Sequence, residues 1–161
     1  MLKGLVDSMP PGELEYDYVA GVSIGAYNAS ILATFPIGKE KEAIDYMLDG
    51  WQIDTADIFS FYNPKWIAPF KRPNIVNNDG LADLLQQFLG DKPFQRKLSV
   101  LSADLMTGQV VIFDETLTNE ERVQSIISST SIPFAFEPVE IDDMKLADGS
   151  VYSNLSVGDP I

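Results

Sequence analysis

Residues 15–34 read EYDYVAGVSIGAYNASILAT and set the architecture of this chain. Residues 15–20 are rich in residue types that favour β-strands, whereas residues 26–34 are apolar with helical spacing and stop before Pro36. Between them lies a glycine-x-serine-x-glycine pattern, residues 21–25. This order predicts a strand, a tight turn and a helix, with Ser23 at the tip of the turn.

Such a turn is typical of a serine nucleophile. It holds the hydroxyl at the end of a strand in a strained backbone conformation, and the glycines at positions 21 and 25 avoid Cβ collisions in the bend. The helix that follows directs N–H groups and its positive dipole end towards developing negative charge, so the Ile24 N–H is a candidate oxyanion donor. The alternative is a glycine-rich connection in which Ser23 has no chemical part.

The chain contains no histidine and no cysteine. A Ser-His-Asp triad, a thiolate nucleophile, a disulfide and a histidine-bearing or thiolate zinc site are therefore excluded within these residues. We expect no metal and no cofactor. A catalytic serine here needs a carboxylate, a lysine or a water molecule as its base.

Three Asp-Gly pairs offer a carboxylate, at Asp49, Asp79 and Asp148. Asp49 ends an amphipathic helix, and Asp79 is placed to cap the next one. Asp148 alone follows an apolar β-rich run, residues 144–147, and precedes another short one, residues 151–152. A sheet end could therefore present Asp148 to Ser23, although an ordinary turn aspartate fits the same pattern.

The remaining sequence is predicted to alternate between helices and strands. Helices are predicted over residues 39–51, with Ala43, Ile44, Met47 and Leu48 inward, over residues 81–89, and from the Thr118 capping box to about Ser128. Strands are predicted over residues 98–103 and 109–113, as a hairpin or as neighbours. Residues 52–78 are predicted to be irregular. The pattern favours a single α/β domain, residues 1–161, with three layers.

The composition restricts the kinds of partner and the location that can be expected. The net charge is −13, with 24 acidic and 11 basic residues, which disfavours nucleic acid. No apolar run is long enough to span a membrane and no signal peptide is recognisable, so a cytoplasmic location is expected. Residues 63–73 combine aromatic side chains with three basic residues. This segment is compatible with peripheral membrane contact, and also with a proline-rich surface loop that packs its own aromatic rings.

Four stretches together resemble the patatin-like phospholipase family, in that family's order along nearly the whole chain. They are residues 16–29 (YDYVAGVSIGAYNA), 101–108 (LSADLMTG), 128–133 (SSTSIP) and 147–154 (ADGSVYSN). The resemblance implies a three-layer α/β/α fold with a mainly parallel central sheet. It also implies a Ser-Asp dyad that cleaves acyl esters of phospholipids or neutral lipids. Ser23 matches the nucleophile and Asp148 the base, and the positions expected to support the elbow or the oxyanion are Gly21, Ile24, Gly25 and Gly149.

The sequence departs from the family's pattern before the nucleophile. The family's oxyanion loop, Gly-Gly-Gly-x-Arg/Lys-Gly, lies upstream of its serine, whereas residues 1–5 (MLKGL) resemble the helix that follows this loop. Ser150 also stands where the family usually has glycine or alanine. We therefore expect a fragment, truncated at its N-terminus, of a lipid acyl hydrolase, and we expect this chain by itself to hydrolyse esters poorly or not at all. The alternative is a non-catalytic lipid-binding or scaffold domain that kept the fold.

Overall fold

The computed structural model describes residues 2–10, 12–50, 60–61, 76–77 and 79–152. Five α-helices are found among these residues: α1 (Leu2–Ser8), α2 (Ile24–Ala33), α3 (Glu40–Gly50), α4 (Asp79–Leu89) and α5 (Asn119–Thr130). The strands are β1 (Tyr18–Val22), β2 (Ser60–Phe61), β3 (Val76–Asn77), β4 (Lys97–Asp104), β5 (Val110–Asp114), β6 (Val139–Ile141) and β7 (Met144–Asp148). The α/β class predicted from the sequence is confirmed.

The central sheet is mixed, which corrects the expectation of a mainly parallel sheet. Among the described pairings only β1 and β4 run parallel, whereas β5 and β7 are antiparallel to β4, and β6 is antiparallel to β7. The physical reason lies in the connections. Short turns join β4 to β5 and β6 to β7, and a short turn can join only antiparallel neighbours. β2 and β3 pair separately as a small antiparallel sheet in the segment predicted to be irregular.

Strands β1 and β7 share one edge of β4 and meet end to end. β1 pairs with β4 up to the Val22–Leu101 position, and β7 pairs with it from Ser102–Asp148 onwards. Strand β5 pairs with residues 99–103 of β4 and therefore occupies the opposite edge. Since β1 and β7 run in opposite directions, their two carboxyl ends face each other at adjacent positions of β4.

Helices α2 and α5 pack against the sheet and against each other, so both lie on one of its faces. Helix α4 packs on both of them, and α3 packs on α2. The core between this layer and the sheet is apolar and includes Ile31, Leu85, Leu98, Val100 and Ile126. The second helical layer of the expected three-layer arrangement is not found among the described elements that pack closely on the sheet.

Local sequence signals account for most element bounds. The Thr118 side chain accepts a hydrogen bond from the Glu121 N–H while the Glu121 carboxylate accepts one from the Thr118 N–H, so the predicted capping box is confirmed. Leu48, predicted to face inward on α3, is exposed. Residues 149–151 form a 3₁₀ turn rather than the short β-rich run expected at 151–152. No helix within the described ranges combines the length and apolarity needed to cross a membrane.

Candidate active site

Ser23 is the single residue between the end of β1 and the start of α2. Its backbone angles, φ 57° and ψ −134°, lie in a region that residues other than glycine rarely adopt. A Cβ atom at position 21 would collide with the backbone of Gly25 and Ala26, so this turn requires Gly21. A Cβ atom at position 25 would meet nothing within 4 Å, so the steric reason expected for Gly25 is wrong.

The structure brings Ser23 and Asp148 together. The Ser23 hydroxyl donates a hydrogen bond to Asp148 Oδ2 over 2.6 Å, although 125 positions separate the two residues. The contact follows from the strand ends described above, because Asp148 is the last residue of β7 and Ser23 is the first residue beyond β1. A serine hydroxyl at this distance from a carboxylate can transfer its proton directly.

The Asp148 carboxylate is fully buried and held from several directions. Its Oδ1 accepts a hydrogen bond from the Ser150 N–H at 2.8 Å, which leaves Oδ2 directed at Ser23. The backbone N–H of Asp148 donates a hydrogen bond to the Ser131 carbonyl at 2.8 Å. Next to it, a Cβ atom on Gly149 would lie 2.6 Å from the Leu101 carbonyl oxygen, so glycine is required for β4 to pass this closely.

Helix α2 contributes a backbone amide next to Ser23 and a buried tyrosine further along. Because α2 begins at Ile24, the Ile24 N–H is one of the first-turn amides that have no carbonyl partner one turn earlier in the helix. Tyr27, one turn further along, is buried. Burial, together with the neighbouring Tyr46, raises the pKa of Tyr27 to about 12, so Tyr27 remains protonated near neutral pH and is unsuited to act as a base.

The other candidates from the sequence lie elsewhere. Asp49 is in the last turn of α3 and Asp79 is the first residue of α4. Residues 63–73, the segment considered for membrane contact, lie outside the described residues.

Sequence reasoning missed the contributions of Ser129 and Ser131. Ser129 Oγ accepts a hydrogen bond from the Ser23 N–H at 3.0 Å, and the Ser131 carbonyl binds the Asp148 amide. Both lie within the SSTSIP stretch noted above, which was the only signal, and it carried no information about their partners.

The chain is similar to known proteins in two comparisons. A family model described as patatin-like phospholipase matches residues 1–161. Among solved structures, the crystal structure of VipD from Legionella pneumophila aligns with a TM-score of 0.44 and 14% sequence identity, over 86% of the present chain. The present chain spans 41% of the length of that chain.

Proposed function

The chain belongs to the patatin-like phospholipase family, and from that membership we propose that it is a lipid acyl hydrolase. It cleaves carboxylic ester bonds of phospholipids or neutral lipids, with Ser23 as nucleophile and Asp148 as base. The observation that carries this proposal is the 2.6 Å hydrogen bond from the Ser23 hydroxyl to the Asp148 carboxylate.

The two residues divide the chemistry between them. Asp148 Oδ2 takes the hydroxyl proton as Ser23 Oγ attacks the ester carbonyl, and the proton then passes to the leaving alcohol as the acyl-serine forms. In the second half, Asp148 takes a proton from water, which attacks the acyl-serine. The bond between the acyl carbon and Ser23 Oγ breaks, the fatty acid is released, and the proton passes from Asp148 to Ser23 Oγ. The Ser150 N–H on Oδ1 supports this role because it holds the carboxylate in one orientation throughout.

The tetrahedral intermediate carries negative charge on the former carbonyl oxygen. In the part of the chain that the structure describes, the amino end of α2 is the group best placed to meet it, through the Ile24 N–H and the helix dipole. Removing one such donor typically costs about 10²- to 10³-fold in turnover, so a second donor would add substantially to the rate.

Exposed apolar side chains close in sequence to Ser23, Ser131 and Asp148 favour a lipid over a water-soluble ester. We call them the apolar rim: Ile24, Ile132, Phe134, Val151 and Tyr152. Each lies within a few residues of Ser23, of Asp148 or of Ser131, which binds the Asp148 amide. Phe134 is 82% exposed and offers the largest apolar surface of the rim to an acyl chain.

The proposal is tested with the variants Ser23→Ala and Asp148→Asn. Each should lower hydrolysis of a p-nitrophenyl ester by about 10³-fold or more, because proton transfer and attack act as a unit. Ser23→Ala should also abolish covalent labelling by a fluorophosphonate probe, with circular dichroism unchanged.

Asp79→Asn is the matched control, since it alters another Asp-Gly pair at the start of α4. If Asp79→Asn loses activity while Asp148→Asn keeps it, the assignment of the base is wrong. Release of fatty acid from phosphatidylcholine vesicles, compared with hydrolysis of p-nitrophenyl acetate, tests the substrate class. Turnover of the acetate with none of the phospholipid would contradict the phospholipid assignment.

A further inference from the structure

The carboxyl end of α5 is rich in buried serines whose hydroxyls do not take part in the proposed chemistry. Ser128 and Ser129 are both fully buried there. Ser129 Oγ accepts a hydrogen bond from the Ser23 N–H at 3.0 Å and donates one to the Leu101 carbonyl at 2.6 Å. One hydroxyl therefore connects the nucleophile's backbone to strand β4.

The two hydrogen bonds of Ser129 depend on each other. Because its proton is directed to the Leu101 carbonyl, an oxygen lone pair is left for the Ser23 amide. Leu101 is the register partner of Val22, the residue before the nucleophile. Ser129 thus fixes the turn against the strand at the point where the chain leaves the sheet.

The backbone of Ser23 needs such an anchor. Its φ of 57° is unfavourable for any residue other than glycine, and the surrounding contacts must maintain it. Gly21 only makes room for this turn, whereas Ser129 makes a directional bond to the strained residue itself.

The same end of α5 also holds the base. The Ser131 carbonyl accepts the Asp148 amide at 2.8 Å, two residues beyond Ser129. Ser23 and Asp148 are therefore both hydrogen-bonded to one short segment, residues 129–131. This shared attachment restricts the distance between the Ser23 hydroxyl and the Asp148 carboxylate.

We propose that Ser129 is a positioning residue for the nucleophile, an inference that rests on the proposed function. It holds the Ser23 amide so that the hydroxyl remains directed at Asp148. Because that amide is engaged by Ser129, the proposal also assigns stabilisation of the oxyanion to amides other than that of Ser23.

The test uses Ser129→Ala in the full 161-residue chain, with Ser128→Ala as the matched control. Ser128 is equally buried and also makes two hydrogen bonds, to Ser102 Oγ and to the Ser125 carbonyl, but it contacts neither Ser23 nor Asp148. Ser129→Ala should lower kcat for a p-nitrophenyl ester, and the rate of fluorophosphonate labelling, by about 10- to 100-fold. KM should change little. Ser129→Cys, which is slightly larger than serine and a weaker hydrogen-bond acceptor, should have a kcat between those of Ser129→Ala and the unmodified chain.

A second measurement is independent of activity. Hydrogen exchange of the Ser23 amide, followed by NMR, should accelerate in Ser129→Ala and not in Ser128→Ala. If kcat and amide exchange are the same in Ser129→Ala as in the control, the positioning role is overturned. If the unmodified chain takes up no probe, the proposed function fails, and amide exchange alone then decides the role of Ser129.

Discussion

At the scale of single residues, the two glycines on either side of Ser23 have different physical roles. Gly21 lies where the backbone of α2 returns against β1, and no side chain fits between them. Gly25 lies in the first turn of α2 and borders open space. A pattern that treats both positions alike therefore combines one requirement of the fold with one position that the fold leaves unrestricted.

This difference predicts opposite outcomes for two small substitutions. Gly21→Ala should lower the free energy of unfolding by about 1–3 kcal/mol or more, because the added methyl group forces two backbone segments apart. Gly25→Ala should leave it unchanged or raise it by up to about 1 kcal/mol, since alanine favours the helix. Urea unfolding of both variants measures this. Equal losses in the free energy of unfolding would contradict the different roles given to the two glycines. A Gly25→Ala protein that is stable but less active would show that position 25 affects the site and not the fold.

At the scale of elements, the two ends of α5 serve separate purposes. The amino end begins with the reciprocal hydrogen bonds of Thr118 and Glu121, which stabilise the helix locally. Hydrogen bonds from the Thr118 hydroxyl and from its backbone N–H lower the pKa of the Glu121 carboxyl. The carboxyl end of the helix, about eleven residues after Thr118, contacts Ser23 and Asp148 through Ser129 and Ser131.

Thr118→Ala should therefore affect stability without affecting chemistry. Loss of an N-cap side chain costs about 1 kcal/mol in the free energy of unfolding. The rate at which a fluorophosphonate probe labels Ser23 at 25 °C should remain that of the unmodified chain. Thermal denaturation and labelling of the same sample measure both quantities, and a labelling rate that falls with stability would show that the two ends of the helix are coupled.

Local signals predicted these elements, whereas long-range pairing escaped sequence reasoning. The strand before Ser23, the helix after it and the capping box of α5 each depend on neighbouring residues, so their sequence is sufficient. The mixed sheet depends on the direction in which β7 joins β4, and β6 has only three residues, too few for a clear periodicity. Ser129 bonds to a residue 106 positions away, a contact that no local pattern encodes.

At the scale of the whole molecule, one buried ion pair joins segments that are distant in sequence. The Arg96 guanidinium, just before β4, donates to Glu40 on α3 at 2.8 Å and to the Tyr16, Phe35 and Pro36 carbonyls. Both side chains are almost completely buried. Burial alone would raise the pKa of the Glu40 carboxyl, but the hydrogen bonds from Arg96 and from backbone amides outweigh it and lower this pKa.

This lowered pKa gives stability a defined dependence on pH. The folded state favours ionised Glu40, so its contribution is complete above the ordinary pKa of 4.5 and is lost as the pH falls through the lower folded value. Glu40→Gln should therefore be clearly less stable than the unmodified chain at pH 7, and the difference should shrink below about pH 4. Urea titrations at both pH values measure it. Exposed Glu42→Gln is the control, and a difference that is constant with pH would contradict the assignment.

The end-to-end meeting of β1 and β7 on a shared edge of β4 also has a consequence for biosynthesis. Ser23 leaves the ribosome 125 residues before Asp148, and neither strand can bring its end to the other until β4 offers the edge on which both pair. Every nascent chain that stops short of β7 therefore contains the elbow without its partner. Closing so long a loop comes late among the contacts of a fold, so the proposed dyad forms only as the sheet is completed.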